Sequence, residues 1–280
     1  RCARRALAWG LGHLSPRMAR ASIVLVLALA TCACGAKGRG GKRGGGGGGG
    51  GVGGGNFDAH RKVMQLLTPQ ARGCDASNGT TVGDTTATRT APAFCATKLP
   101  KRRQCVCMSF TKGLDFGTAL AAVGCKTFSF DPLVGTAKTL GPNHVFVPAD
   151  ISTYDGLAKE GNDTIAVLTL RSIMASQDID RVDVLRMTVQ SARQWHALKY
   201  LVNQGSLDGV LQLSLNMTLA DVTMWSEYQS ILSTVSNSGF KPFYIVKQPG
   251  AEYLQVQEGS FSLYSKYEVT MGNVKRKTPP

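Results

Sequence analysis

Between residues 105 and 269, apolar and polar positions fall into blocks whose period switches between strand-like and helix-like. Residues 105–110 (CVCMSF) are apolar and β-prone. Residues 116–123 read as a helix, which Gly124 ends as a glycine past the last turn commonly does. Residues 127–130 and 144–148 (HVFVP) read as the second and third strands. Thr169 is placed to cap a short helix through Met174. Residues 182–187 (VDVLRM) form a nearly continuous apolar strand, the pattern of a strand covered on both faces. Residues 194–203 are amphipathic and close at Gly205, residues 210–215 are the next strand, and residues 225–236 are a helix ended by Ser238-Gly239. Residues 241–246 and 261–269 are two strands in succession. This order predicts an α/β fold: a Rossmann-like open, mostly parallel seven-stranded sheet with helices on both faces and a C-terminal antiparallel hairpin.

Upstream the pattern is different. Residues 1–20 are basic and residues 21–36 (ASIVLVLALATCACGA) are a continuous run of apolar and small residues. The run is short of the roughly 20 residues of a comfortable membrane span and fits a signal peptide. A short signal anchor and a lipoprotein signal are the rival readings, and an upstream region outside the natural reading frame is the bland one. Residues 37–55 are Gly-rich and read as a disordered tether, because glycine buries no side chain and loses the most entropy on ordering. Residues 56–99 open with a helix over 57–67 and continue as a loose arm, and residues 100–277 form the folded domain.

Charge changes the picture only by its location. The chain carries a net charge of +14, but eleven Lys/Arg and a single acid lie in residues 1–62. The basic excess belongs to the leader and not to a folded face, which argues against nucleic acid as a partner. Membrane contact is expected only through the N-terminal segment if it is not removed. Cys74 and Cys95 form a disulfide in an oxidising compartment or stand as two thiols, and spacing leaves both open. Sequons occur at Asn78, Asn162 and Asn216. The first two sit in loop-like surroundings, whereas Asn216 ends an apolar strand.

The candidate chemistry is concentrated in residues 105–132. A strand, a glycine-bearing turn at 111–115, a helix and a second strand are followed by Asp131, about 20 residues past the turn, as in a nucleotide-binding β-α-β unit. The turn lets backbone approach a ligand, and the carboxylate can accept hydrogen bonds from two ribose hydroxyls. Other candidates read as structural. Asp183 alternates with apolar residues inside its strand. His144 and His196 are isolated and assigned to surface or helix-face positions. Trp195 and Trp225 belong to the core. Cys105 and Cys107 share a strand face, but no second Cys/His pair has ligand spacing, so they read as buried thiols and no metal is expected. No nucleophilic triad is visible.

This order of elements, with Ser109-Phe110, Gly124-Cys125, Phe130-Asp131-Pro132, Val182-Asp183-Val184-Leu185-Arg186, Ser191-Ala192 and Gln212-Leu213, resembles the class I methyltransferase fold that binds S-adenosylmethionine. More narrowly it resembles the FkbM-related branch. The resemblance spans about residues 103–246. It implies that Thr111, Gly113 and Asp115 approach the methionine part of the cofactor, that Asp131 holds the ribose, and that Asp150 lies near the adenine. Thr188, Gln190 and Asn216 are then on the substrate side. It implies a methyltransferase of the secretory pathway, secreted or in the Golgi or ER lumen, with a small-molecule or glycan acceptor. The sequence departs from the family pattern. Its turn is Thr111-Lys112-Gly113 in place of Gly-x-Gly. Residues 188–193 (TVQSAR) stand where the family has Asp-Ile-Glu-Gly-Ala-Glu, and Asn216 stands where it has Glu. With those acids replaced, the alternative expectation is a non-catalytic binding module on the same fold.

Overall fold

A computed structural model describes residues 55–69, 74, 80–81, 93–101, 103–133, 136–254 and 263–276. The leader at 1–36, nearly all of the glycine tether and the sequon at Asn78 lie outside the described residues.

Helix α1 (Gly55–Leu67) is followed by the short antiparallel pair β1 (Thr80–Thr81) and β2 (Ala93–Phe94). Then come β3 (Val106–Phe110), α2 (Asp115–Ala122), β4 (Lys126–Phe130), β5 (Lys138–Gly141) and β6 (His144–Val147). A small three-stranded sheet follows, made of β7 (Asp150–Ile151), β8 (Gly156–Glu160) and β9 (Asp163–Leu168). The chain continues through α3 (Leu170–Ser176), β10 (Val184–Val189), α4 (Ala192–Asn203), β11 (Gln212–Thr218), α5 (Trp225–Asn237) and β12 (Phe240–Lys247). A second short pair, β13 (Tyr253–Leu254) and β14 (Leu263–Tyr264), precedes β15 (Lys266–Asn273).

The main sheet has eight strands in the order β12-β15-β11-β10-β3-β4-β6-β5. From β6 to β11 the neighbours are parallel, whereas β5 and β15 run antiparallel to theirs. The α/β class, the open mostly parallel sheet and the C-terminal antiparallel hairpin therefore hold. The strand count does not: the sheet has eight strands where the sequence predicts seven, because β5 adds an outer edge. Lys138, Thr139 and Leu140 are exposed and, among the described residues, the strand pairs only with β6, so the β5 stretch carries no buried alternation to read.

Alternation of side chains gives the sheet two unlike faces. One face carries Met108, Phe128, Leu185, Met187, Leu213 and Val269 against α1, α3, α4 and α5, and this is the main core. The other face is polar and equally buried: Ser109, Ser129, Arg186, Ser214, Glu268 and Thr270 are each at most 5 % exposed. It lies under α2 and the segment around Phe94. Buried polar groups need partners, and each of these side chains finds at least one, although Arg186 Nε has none among the described residues. Arg186 on β10 reaches past Ser214 to a two-pronged ion pair with Glu268 on β15. Gln212 donates to the Cys95 carbonyl and accepts from the Cys95 N–H, at 2.9 and 2.7 Å. His144 lies 2.8 Å from the Ser129 hydroxyl. Gly117 in α2 is required by that pair, because a Cβ there would stand 2.8 Å from His144 Nε2.

Among the described residues ahead of β3, Val63, Phe94 and Cys95 are fully buried, since α1 covers α5 and residues 93–95 cover the polar face. One further reading changes. Cys105 is not a thiol but is bonded to Cys125, with Cα atoms 4.6 Å apart. The strand-alternation argument weighed it only against Cys107, whereas parallel pairing of β3 with β4 brings Cys125 alongside. Cys74 and Cys95 are also bonded, which settles the alternative left open by spacing, and Cys107 is a buried free thiol. Two disulfides are the mark of an oxidising compartment.

Candidate functional site at the carboxyl edge of the sheet

Ligands of open α/β sheets bind where the parallel strands end. β3 ends at Phe110 and β4 at Phe130, paired in register, and their rings stack with centroids 4.4 Å apart. The two strand ends are thereby locked side by side. Beyond β3, Thr111 is half-buried, with its hydroxyl 3.3 Å from that of Ser109. Gly113 takes φ +89° with open space where a side chain would stand, so backbone is presented to solvent at this turn. Asp115 is exposed at the start of α2, whose N-terminus has no side-chain cap.

Asp131 directly follows β4 and is 8 % exposed. Its N–H donates to the Val147 carbonyl, and its Oδ1 accepts from the Leu133 N–H at 3.0 Å. The carboxylate thus stiffens the turn over Pro132 with one oxygen. Its other oxygen has no hydrogen-bond partner among the described residues.

Asp150 is placed differently. It is 5 % exposed, and both oxygens are engaged. Oδ1 accepts from the Ile151 N–H at 2.8 Å, and Oδ2 accepts from Arg193 at 2.7 Å and from Gln194 at 3.3 Å. Arg193 also donates to Glu160 at 2.6 Å and to the Ile151 carbonyl at 3.0 Å. Burial works to lower the Arg193 pKa, but hydrogen bonding and attraction from Asp150 and Glu160 outweigh it and hold the guanidinium above its ordinary value. The cluster pins the β8–β9 hairpin to the first turn of α4. That turn is itself set by a reciprocal cap between Ser191 and Gln194.

At the ends of β10 and β11, Thr188 pairs with Asn216, and Gln190 Nε2 donates to Asn216 Oδ1 at 3.4 Å. These three are brought together as a neutral amide and hydroxyl group with no carboxylate among them. The expected residues therefore form two groups: Thr111, Gly113, Asp115 and Asp131 around β3 and β4, and Thr188, Gln190 and Asn216 around β10 and β11. Asp150 belongs to the ion-pair cluster.

Sequence reasoning did not single out Arg193, Arg186, Glu268 or His144 as partners. The signal for Arg186 was present, since a charge inside an apolar strand demands a buried acid. Asp183 is structural as read, fully buried and held by both terminal nitrogens of Arg103 at 2.6 and 2.7 Å. Its hydrogen bond and charge raise the Arg103 pKa against the opposing effect of burial. Trp195 and Trp225 are in the core, and His196 is exposed beside Glu227 at 3.6 Å. A cavity of about 450 Å³ lined by Met174, Ala175, Asp178, Ile179 and Asp180 opens after α3, ahead of β10, at the opposite end of the parallel strands. Among the described residues, no helix is long and apolar enough to cross a membrane, and no group of three or more His, Cys, Asp or Glu could hold a metal ion.

No family model matches the chain, and no curated protein does. Among solved structures, precorrin-6y C5,15-methyltransferase from Geobacter metallireducens aligns over 63 % of this chain and 85 % of its own, at 8 % identity and a TM-score of 0.30. At that score the likeness carries no argument about activity.

Proposed function

We propose that this chain is an S-adenosylmethionine-dependent methyltransferase-like glycoprotein of the secretory pathway, secreted or lumenal, with a small-molecule or glycan acceptor. The observation that carries the reading is Asp131 at the tip of β4, beside the glycine turn after β3, with one carboxylate oxygen that has no hydrogen-bond partner among the described residues. The residues fit the ribose end of the cofactor: Asp131 would accept from the sugar hydroxyls, and the backbone at Gly113 leaves room for close approach. They do not fit an adenine contact by Asp150, whose oxygens are already used. The cofactor supplies a methyl group on a sulfonium that is already activated, so orientation alone can sustain transfer. Thr188, Gln190 and Asn216 would line the acceptor side with neutral donors and acceptors. The narrower kinship, with the FkbM-related branch and with methyltransferase-like protein 24 within it, rests on the motifs quoted from the sequence. The oxidising compartment rests on the two disulfides and on the signal-like leader.

A second reading, a binding module without turnover, is favoured by the Gln190–Asn216 amide pair, which is neutral where a carboxylate could serve as general base. Calorimetric titration with S-adenosylmethionine and its demethylated product tests both readings. Binding with methyl transfer to a glycan or small-molecule panel supports the first. Binding without transfer supports the second. Failure of both ligands to bind rejects both.

A further inference from the structure

Of the three sequons, the structure describes two, and it separates them. Asn216 lies inside β11, with β10 bonded on one side and β15 on the other, and its side-chain oxygen accepts from Gln190. An asparagine in a central strand cannot be presented as an extended, accessible loop. Asn162 stands at the other extreme. β8 ends at Glu160 and β9 begins at Asp163, paired directly across a two-residue turn of Gly161 and Asn162. Gly161 has φ +60° and Asn162 does not have positive φ, which is the division of work in a tight hairpin turn led by glycine. Gly161, Asn162, Asp163 and Thr164 are all exposed. Among the described residues, no hydrogen bond or ion pair engages the Asn162 or Thr164 side chain. The turn is held from below, because Glu160 is fixed by Arg193 at 2.6 Å. The sequon is therefore rigidly displayed on a solvent-facing tip, on a chain whose disulfides belong to an oxidising compartment.

We infer that Asn162 is an N-glycosylation site and that Asn216 is not. The inference rests on the secretory reading above and deepens it by naming the acceptor atom. The co-reactant is an oligosaccharide carried on a lipid pyrophosphate. Asn162 Nδ2 attacks the anomeric carbon, the new bond is carbon to nitrogen, and the bond that breaks joins that carbon to the pyrophosphate oxygen. The electron pair leaves with the lipid pyrophosphate, and the amide proton lost from Nδ2 passes to a base of the transferring enzyme. No electrons are exchanged with any other partner. The turn already exposes Asn162 to solvent.

The test expresses the full chain in secretory cells in two arms, one with its own leader and one preceded by an independent ER signal. Glycopeptide mass spectrometry is combined with alkylation of free thiols. The expected result in the ER-directed arm is a glycan on the peptide containing Asn162, its loss in Asn162→Gln and Thr164→Ala, and its retention in Thr164→Ser. Asn216→Gln removes no glycan. An ER-directed chain with oxidised Cys105 and Cys125 but a bare Asn162 overturns the inference while leaving the compartment intact. A glycan on Asn162 only in the ER-directed arm upholds the site and rejects the leader as a secretory signal.

Discussion

Arg193 and Asp150 lie 2.7 Å apart, nitrogen to oxygen, and the same guanidinium nitrogen is 2.6 Å from Glu160. One cation therefore holds a carboxylate at the carboxyl edge of the sheet and another beside the turn of a hairpin. Where the family resemblance places an acid in the motif after β10, this chain has a base, and that base engages Asp150.

Removing the cation leaves Asp150 buried with its charge uncompensated. Breaking a buried pair from one side costs about 3–5 kcal/mol, and partial exposure of Arg193 and Glu160 reduces that here. Arg193→Ala is expected to lower unfolding free energy in urea by about 2 kcal/mol. Arg193→Met with Asp150→Asn is expected to lose less than the single change, because no buried charge is left behind.

His144 gives the fold a pH dependence. Burial lowers its pKa below the ordinary value of 6.5, so the folded state favours the neutral ring against Ser129. A depressed histidine contributes stability that is present above 6.5 and is lost as pH falls through the lower folded value. Thermal melts from pH 7.5 down to about 5 should show falling stability, and His144→Gln should flatten part of that slope.

The two disulfides and the buried thiol are separable by labelling. Cys105 and Cys125 are 20 residues apart, a loop whose closure is worth about 3 kcal/mol in the chain-entropy description. Alkylation of the unfolded, unreduced protein should mark Cys107 and spare Cys74, Cys95, Cys105 and Cys125. Reduction should lower the melting temperature by several degrees.

The sequence made the parallel core legible because its strands are buried on both sides and their apolar runs have no other use. Thr169 and Gly205 marked helix boundaries by their own chemistry, and Thr169 does accept from the Ser172 N–H. α4 starts earlier than its amphipathic pattern, at Ala192, because the Ser191–Gln194 cap and not hydrophobicity begins it. β10 starts later than its apolar run because Asp183 is spent on Arg103 and the Val106 N–H. The β8–β9 hairpin was not legible at all. Leu157 and Lys159 face solvent and only Ala158 between them is buried, so the burial alternates without a matching apolar–polar pattern in GLAKE, and the hairpin's anchor is an arginine some 30 residues away in sequence. For the candidate site, the position of Asp131 followed from spacing alone. The occupation of Asp150 did not, since it depends on a tertiary contact with Arg193.

The most direct test is a calorimetric titration of the purified protein with S-adenosylmethionine, run in parallel on Asp131→Ala. The expected result is saturable binding by the unaltered protein. The variant should lose that binding while keeping its melting temperature within a few degrees, since Asp131 contributes one turn hydrogen bond to stability. Equal binding by both proteins, or none by the unaltered one, would contradict the assignment of the carboxyl edge of β3 and β4 as an adenosine site.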